Sequence, residues 1–194
     1  IRNSLFRPIR QLRHTPWRRG SGCTFELRWE SDAMRFWLLD TIRSYEPGVQ
    51  LTAIKNVALT EEYLADHFPE FPVLPGVFML EAATQAGAWL LRLSEDYAHS
   101  IISLKEAKNI KYADFVPPGH TLTVSLIKRD DRLATFKVEG QIGERQTLSG
   151  RLVLERYNLA EGNPEQQQID QDLKSYFRRV AKVLLPAQMA APAG

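Results

Sequence analysis

The sequence is short of cysteine and has no long uncharged apolar run. Its one cysteine, Cys23, cannot form a disulfide within the chain, so a reducing, cytoplasmic setting is expected. No apolar stretch reaches the ~18 residues of a membrane-spanning helix, because Glu81 interrupts the longest candidate. Glycine-rich phosphate loops and cysteine–histidine clusters are also missing, so the sequence implies neither a nucleotide nor a metal. With 44% hydrophobic and 25% charged residues, it has the composition of an ordinary globular protein.

Charge is unevenly distributed along the 194 residues. Residues 1–33 hold seven arginines against three acidic residues, a net of +4, which leaves −2 for the rest. The rest therefore lacks the basic excess of a nucleic-acid-binding domain. The arginine-rich segment is typical of a poorly ordered extension, or of a targeting or contact segment, with the domain starting close to Met34. We expect a domain over 34–157, then a linker and an amphipathic helix over 158–194.

Alternating apolar and polar residues predict several strands. The first, "QLTAIKNVAL", follows a Pro47-Gly48 turn and is interrupted by Lys55; its alternate positions are Leu51, Ala53, Val57 and Leu59. Three later segments, "TLTVSLI", "LATFKVEGQI" and "TLSGRLVLER", have as candidate core faces Leu122/Val124/Leu126, Phe136/Val138 and Leu148/Leu152/Leu154. Their separators, "KRDDR" and "GERQ", are polar turn sequences, so consecutive antiparallel pairing is expected.

Two helices are predicted, which makes the fold class α+β. The first runs from about Val77 to Leu93 and is apolar on every side, so it should be buried under the sheet. One small sheet cannot cover it, which favours a dimer. In the tail, apolar residues recur at helical spacing, at Ile169, Leu173, Phe177, Val180 and Leu184. This second helix is expected to pack on its own domain or on a sister chain; recruitment of an acyl group or partner is the alternative.

One carboxylate stands out in the apolar helix. Glu81 is the only charged residue between positions 75 and 91, and glutamate is rarely buried without a reason. Burial favours its neutral form, which can donate a proton. His67 lies fourteen residues earlier, and histidine is the side chain that most often serves as a base near neutral pH. Gly76 begins the helix, where unpaired N–H groups can stabilise a developing negative charge.

These residues lie in a segment that resembles a known family. The stretch "HFPEFPVLPGVFMLEAATQ" is similar to the active-site segment of the hotdog-fold 3-hydroxyacyl-acyl-carrier-protein dehydratases of the FabZ type. In that family a His-Phe-Pro loop leads through Pro-Gly-Val into a central helix with Glu-Ala-x-x-Gln. The flanking "FWLLDTI", "AIKNVAL" and "KNIKYADFVPPGHTL" agree, and the resemblance covers about residues 36–156. It implies a hotdog fold, an antiparallel sheet wrapped around a long central helix.

The resemblance also implies a reaction, the dehydration of a (3R)-3-hydroxyacyl thioester to a trans-2-enoyl thioester on acyl carrier protein, without a cofactor, in fatty acid biosynthesis or a related acyl pathway. His67 would remove the Cα proton, and Glu81 would protonate the departing hydroxyl, directly or through water. The N–H of Gly76, next to Val77, would polarise the thioester carbonyl, and Gln85 would support Glu81. The family places each site between two subunits, in a homodimer or a trimer of dimers.

Further residues are expected at the edges of the site. Candidate walls of an acyl tunnel are Phe78, Met79 and Trp89. Candidate contacts with the carrier protein are Arg92, Lys108 and Lys111. The rival functions are a hotdog thioesterase, in which a carboxylate activates water, and a non-catalytic acyl-binding subunit, whose sign would be the loss of His67 or Glu81. The other histidines, at positions 14, 99 and 120, have no comparable context.

Overall fold

The structure, a computed structural model, describes residues 36–130 and 134–186. The predicted extension over 1–33 and the expected start at Met34 lie outside these residues. Within them are six strands: β1 (Thr41–Glu46), β2 (Gln50–Asn56), β3 (Ile101–Tyr112), β4 (Thr121–Asp130), β5 (Thr135–Ile142) and β6 (Arg145–Tyr157). The α-helices are α1 (Tyr63–Asp66), α2 (Gly76–Ser94) and α3 (Gln167–Leu184). No described helix is both long and apolar enough to cross a membrane.

The six strands form one antiparallel sheet in the order β1-β2-β4-β5-β6-β3. The consecutive pairing of β4, β5 and β6 confirms the prediction. Helix α2 lies between β2 and β3 in the chain and packs against one face of the sheet. The predicted sheet around a central helix is therefore confirmed, and its inner face is the core.

The inner face follows the predicted alternation. The eight candidate core positions on β4, β5 and β6 are confirmed, since none is more than 3% exposed. On β2, Leu51 and Ala53 are fully buried, but Lys55 also points inward and is only 5% exposed. The prediction for Leu59 is wrong: it is 71% exposed, because β2 ends at Asn56 and the chain leaves the sheet there.

The second half of α2 is buried on every side, and its small residues bring it close to the sheet. A Cβ added at Gly87 would lie 2.9 Å from Leu154 Cδ1, closer than carbon atoms normally approach. On the side away from the sheet, the Trp89 ring meets Phe177 of α3 at 5.9 Å. The first turn is different, since Val77 is 63% exposed. All-round burial of the helix is therefore true within one chain only for its C-terminal half.

Helix α3 packs on its own domain, the first of the two predicted arrangements. Its buried residues are Asp170, Ala181 and Leu184, and Phe177 and Val180 pack partly buried against the core. The Asp170 carboxylate accepts hydrogen bonds from the Ser100 hydroxyl and from the N–H groups of Leu159 and Ala160.

The prediction that Ile169 belongs to the α3 stripe is wrong, since Ile169 is 47% exposed. Asp170 takes the inward position because its carboxylate is bonded to the domain. The segment that precedes the helix, predicted as a linker, forms two 3-10 turns, Leu159–Glu161 and Pro164–Gln166.

Candidate active site

His67 lies at the end of the short helix α1. Its N–H donates to the Tyr63 carbonyl at 3.2 Å, and its half-buried ring lies 4.5 Å from the Phe68 ring, measured between centroids. Phe68 has φ = 51°, a left-handed conformation that is uncommon for a bulky side chain. The Phe71 N–H closes the turn by donating to the Phe68 carbonyl at 2.8 Å. His67 is therefore followed directly by a strained turn.

Glu81 lies on α2, and its carboxyl group is held by an amide. Gln85 Nε2 donates to Glu81 Oε1 at 2.9 Å, across one helical turn. The expectation of full burial is not met, because Glu81 is half-buried within the chain. Its helical face turns away from the sheet, and the neighbouring residue on that face, Val77, is open.

The orientation of Gln85 depends on the segment that precedes β1, here called the leading segment (Phe36–Leu38). The Leu38 N–H donates to Gln85 Oε1 at 3.0 Å, and Gln85 Nε2 donates to the Phe36 carbonyl at 2.9 Å. Because a backbone N–H can only donate, Oε1 must face Leu38 and the NH₂ group must face Glu81. The sequence did not predict these two hydrogen bonds. The apolar stretch "FWLL" was the only signal that this segment packs against the domain.

Gly76 is the first residue of α2 and lies beneath an aromatic ring. A Cβ at this position would lie 3.2 Å from Tyr112 Cδ1, so a side chain would press on the ring. The first intrahelical bonds run from Phe78 and Met79 to the Pro75 carbonyl, at 2.9 and 3.3 Å. The N–H groups of Gly76 and Val77 come before these bonds and can therefore donate to an oxyanion.

An aromatic cluster joins the two elements that carry His67 and Glu81. The Tyr63 ring of α1 meets the Phe78 ring of α2 at 4.8 Å, and Phe78 meets Phe36 at 4.7 Å. Among the described residues of one chain, no hydrogen bond links His67 to Glu81. Both groups nevertheless lie on elements that meet at the N-terminal half of α2.

The remaining predicted residues are dispersed along α2. Phe78 belongs to the aromatic cluster, and Met79 is 2% exposed, next to it in the chain. Trp89 is fully buried under α3, about 20 Å from Gly76 along the helix axis at the usual rise per residue. Their roles as tunnel walls stay predictions.

Arg92 needs a correction. It is 7% exposed, and its guanidinium carbon lies 3.7 Å from the centre of the Phe177 ring. Burial lowers its pKa to about 10, while Tyr97 opposes this shift. A side chain covered by α3 cannot contact a docked protein, so Arg92 is removed from the expected carrier-protein contacts. Lys108 and Lys111 are exposed on β3.

Within residues 36–130 and 134–186, no group of three or more His, Cys, Asp or Glu side chains is arranged to hold a metal ion. His99 Nδ1 lies 3.3 Å from Glu95 Oε2, and His120 Nδ1 lies 3.3 Å from the Pro118 carbonyl oxygen. The candidate site is thus a histidine, a clamped carboxyl group and the first turn of a helix.

A family model described as ApeI-like, ApeI dehydratase, matches residues 44–151, more than half of the chain. The 3-hydroxyacyl-[acyl-carrier-protein] dehydratase FabZ of Clostridium kluyveri is 36% identical over 120 residues, covering 61% of this chain and 83% of that protein. FabZ of Levilactobacillus brevis is 33% identical over 116 residues, covering 59% and 78%. Among solved structures, the dehydratase heterocomplex ApeI:P from Xenorhabdus doucetiae has a TM-score of 0.54 at 17% identity, with 68% of this chain and 90% of that chain covered.

A six-stranded antiparallel sheet packed on a central helix, with a histidine loop leading into the helix that bears the carboxyl group, defines a hotdog-fold dehydratase. The likeness to the Xenorhabdus structure supports the fold. This chain belongs to the ApeI-like dehydratase family and is of the FabZ type.

Proposed function

We propose that this protein dehydrates (3R)-3-hydroxyacyl thioesters on acyl carrier protein to trans-2-enoyl thioesters. The observation that carries the proposal is the Glu81 carboxyl, held at one oxygen by Gln85 on the helix that follows the His67 loop. A general acid must point one oxygen at its substrate, and an amide clamp on Oε1 leaves Oε2 for that task. Two relatives named for this reaction are 36% and 33% identical to the chain over the aligned residues.

The reaction needs one base, one acid and one site for negative charge. His67 takes the Cα proton, and the electrons of that C–H bond form the new Cα–Cβ double bond. Charge that develops on the thioester oxygen is stabilised by the first N–H groups of α2, at Gly76 and Val77. Glu81 gives its proton to the β-hydroxyl, which leaves as water. Transfer of the proton from His67 back to Glu81, through solvent, restores the starting state.

The acyl chain requires an apolar path, and the side chains along α2 offer one. Phe78 and Met79 precede Glu81 in the first turns of α2, and Trp89 lies deeper under α3. The exposed first turn of α2, at Val77, would be covered by a second copy of the chain. In such an assembly each site would combine His67 of one chain with Glu81 of the other, and water would be excluded from the developing charge.

The carrier protein would dock on a basic surface on the outer face of the sheet. We define the basic sheet surface as Lys108, Lys111, Arg129, Lys137 and Arg151. Lys108 and Lys137 flank Arg151 on neighbouring strands and pair with Glu106 at 2.9 Å and Glu139 at 2.7 Å. The other three side chains form no ion pair with any described residue.

Charge and position both favour this surface. Acyl carrier proteins are acidic, so the excess of cations is complementary to them. Four of the cations line a groove of ≈480 Å³. Lys111 is followed in the chain by Tyr112, whose ring covers Gly76. A carrier protein on the basic sheet surface would thus be near the N-terminus of α2.

One assay separates the proposal from its rival. Purified protein is mixed with a 3-hydroxyacyl carrier-protein substrate, and the conjugated enoyl product is followed by its absorbance and by mass. We expect loss of one water with the thioester intact. Release of free carrier-protein thiol without an enoyl product would instead identify a thioesterase. Binding of the acyl carrier protein with no chemical change would identify a non-catalytic subunit.

A further inference from the structure

Lys55 is a buried lysine in the core face of β2. It shares that face with Leu51 and Ala53 and is only 5% exposed. Its ammonium group forms an ion pair with Glu61, at 2.5 Å from Nζ to Oε1. A buried lysine is costly to desolvate, so it is retained only where its partner or its role compensates. The reaction as proposed uses neither Lys55 nor Glu61.

Glu61 connects this ion pair to the start of α1. Its carbonyl accepts from the Leu64 N–H at 3.0 Å, and Leu64 is 3% exposed, so this turn is fixed to the core at two points. Two residues further on, the Tyr63 carbonyl accepts a hydrogen bond from the His67 N–H at 3.2 Å. The Glu61 side chain and the hydrogen-bonded backbone of this turn therefore connect the Lys55 ammonium to His67.

Tyr63 ties the same turn to the helix that carries Glu81. Its ring packs on Phe78 at 4.8 Å, and its hydroxyl is buried with no hydrogen-bond partner among the described residues. Burial raises the pKa of Tyr63, and the nearby charges of Glu61 and Asp40 add to the shift. The phenol thus stays neutral, and the ring acts as a packing contact between α1 and α2.

The turn after His67 needs such support. Phe68 is left-handed at φ = 51° and 57% exposed, so its own side chain contributes little packing to hold that conformation. Strained backbone of this kind persists only where the flanking structure determines it. On the N-terminal side, the flanking structure is α1, and α1 is anchored by the Lys55–Glu61 pair.

We propose that the Lys55–Glu61 ion pair is a positioning device for the His67 imidazole. The inference rests on the proposed dehydration, in which His67 is the base. Lys55 touches no reacting atom in this scheme; it acts through Glu61 and α1. Because a misplacement of about 1 Å can cost around a hundredfold in rate, loss of this anchor should lower turnover while substrate binding is retained.

The test is Lys55→Met, in which the flexible apolar side chain occupies the space of the lysine stem. Glu61 can then turn to solvent, since its side chain is already 24% exposed. We expect kcat to fall about ten- to a hundredfold with KM changed less than about twofold. The double variant Lys55→Met/Glu61→Gln should lose no more than Lys55→Met alone, because the two residues act as one unit.

Arg156→Met is the matched control. It removes the cation of another partly buried ion pair, Arg156–Glu95 at 2.7 Å, far along the chain from α1. Hydrogen exchange provides a readout that does not depend on activity. The amide hydrogens of Leu64 and His67 should exchange faster than in wild type in Lys55→Met. Their exchange rates should be unchanged in Arg156→Met.

Each outcome has one meaning. An unchanged kcat in Lys55→Met, or an equal loss in Arg156→Met, overturns the positioning role. A rise in KM at constant kcat overturns it as well, because it points to substrate binding. An inactive wild-type protein overturns the proposed dehydration instead, and the exchange rates then still decide whether the ion pair anchors α1.

Discussion

At the residue scale, Gln85 uses both its oxygen and its NH₂ group within the protein. Its amide bonds to Leu38, Phe36 and Glu81 leave no choice of orientation. The spacing of Glu81 and Gln85 made their contact predictable, since residues four apart share a helical face. The clamp from the leading segment was not predictable, because its bonds join residues 47 and 49 positions apart.

The proposed acid and base can be tested one residue at a time. His67→Ala and Glu81→Ala should each lower kcat by at least about a hundredfold, the low end for a lost acid or base. Glu81→Gln should do the same, because it keeps size and polarity but cannot transfer a proton. Steady-state turnover and circular dichroism are measured together. Near-wild-type turnover in a folded variant would show that the assigned residue is not the acid or base.

The ion pair of Lys55 could not be predicted from the alternating pattern of β2. Alternation along β2 predicts an inward position for residue 55, but the charge there reads only as an interruption. Its partner Glu61 lies outside the strand, in a turn with no periodic pattern. The predicted burial of Leu59 was wrong for a related reason, because alternation does not show where a strand leaves the sheet.

At the scale of elements, the strands that bury one face were predicted from the sequence, and the exposed edge strand was not. Strands β4, β5 and β6 alternate because one face lies on α2 and the other faces outward. Strand β3 was not predicted as a strand, although the resemblance covered its sequence. It is an edge strand paired only with β6, and its residues from Leu104 to Asn109 are exposed on both faces. A positive φ of 52° at Asn109 and irregular register further blur its period.

Helix α3 was predicted as an element, but its anchor was not. Asp170 is 4% exposed and is bonded to Ser100 and to two backbone N–H groups of the preceding turn. Burial by itself raises the pKa of Asp170, but these hydrogen bonds outweigh burial, and the pKa is lowered. The carboxylate is therefore the form that holds α3 in place.

The anchor makes a prediction for stability and pH. Asp170→Asn should lower the free energy of unfolding by about 1–3 kcal/mol, because buried N–H groups lose a charged acceptor. A carboxyl group with a lowered pKa stabilises the fold fully above its unfolded pKa of about 4, and this contribution is lost as the pH falls through the lower folded value. The difference between wild type and variant should thus be constant from about pH 5 to 8 and shrink below about pH 4.

Urea unfolding at several pH values measures this difference. The control is Asp172→Asn on the same helix, where the carboxylate meets only the Gln168 side chain on the exposed side. It should change stability by less than about 0.5 kcal/mol. Equal changes in the free energy of unfolding for the two substitutions would show that Asp170 does not anchor α3.

At the scale of the whole molecule, part of the apolar surface around α2 stays uncovered within one chain. Helix α3 covers the C-terminal half of α2 within the chain, so that half needs no second chain to bury it. The open part is the first turn, with Val77, and near it in the chain the exposed rings of Phe68 and Phe71. Phe71 meets Phe115, which is 55% exposed, at 5.7 Å. Exposed apolar residues around the proposed catalytic turn favour an interface there.

The basic sheet surface gives a prediction about the carrier protein. Arg129→Glu/Arg151→Glu should raise KM for carrier-protein substrates about tenfold or more and leave KM for small pantetheine thioesters unchanged, because only the protein carries the complementary acidic surface. The control, Arg179→Glu/Lys182→Glu, makes the same charge change on exposed α3 positions. The effect should weaken as salt rises. An equal change for both substrate classes would exclude docking at this surface.

The shared site can be tested by complementation between chains. His67→Ala and Glu81→Ala are each inactive if both groups are required. In a mixed dimer with shared sites, one site lacks both groups and the other has both intact. Random 1:1 pairing makes half of the dimers mixed, and each has one good site of two, so co-refolding should restore about a quarter of wild-type activity.

The opposite architecture gives a different result from the same mixture. If each site were built within one chain, every site would keep one lesion, and no mixing ratio would restore activity. The exposed first turn of α2 and the missing hydrogen bond between His67 and Glu81 among the described residues favour the shared site. Heterodimer formation must be verified independently, by mass spectrometry of chains with different tags. Verified heterodimers without activity would exclude sharing and leave the dehydratase reaction itself unaffected.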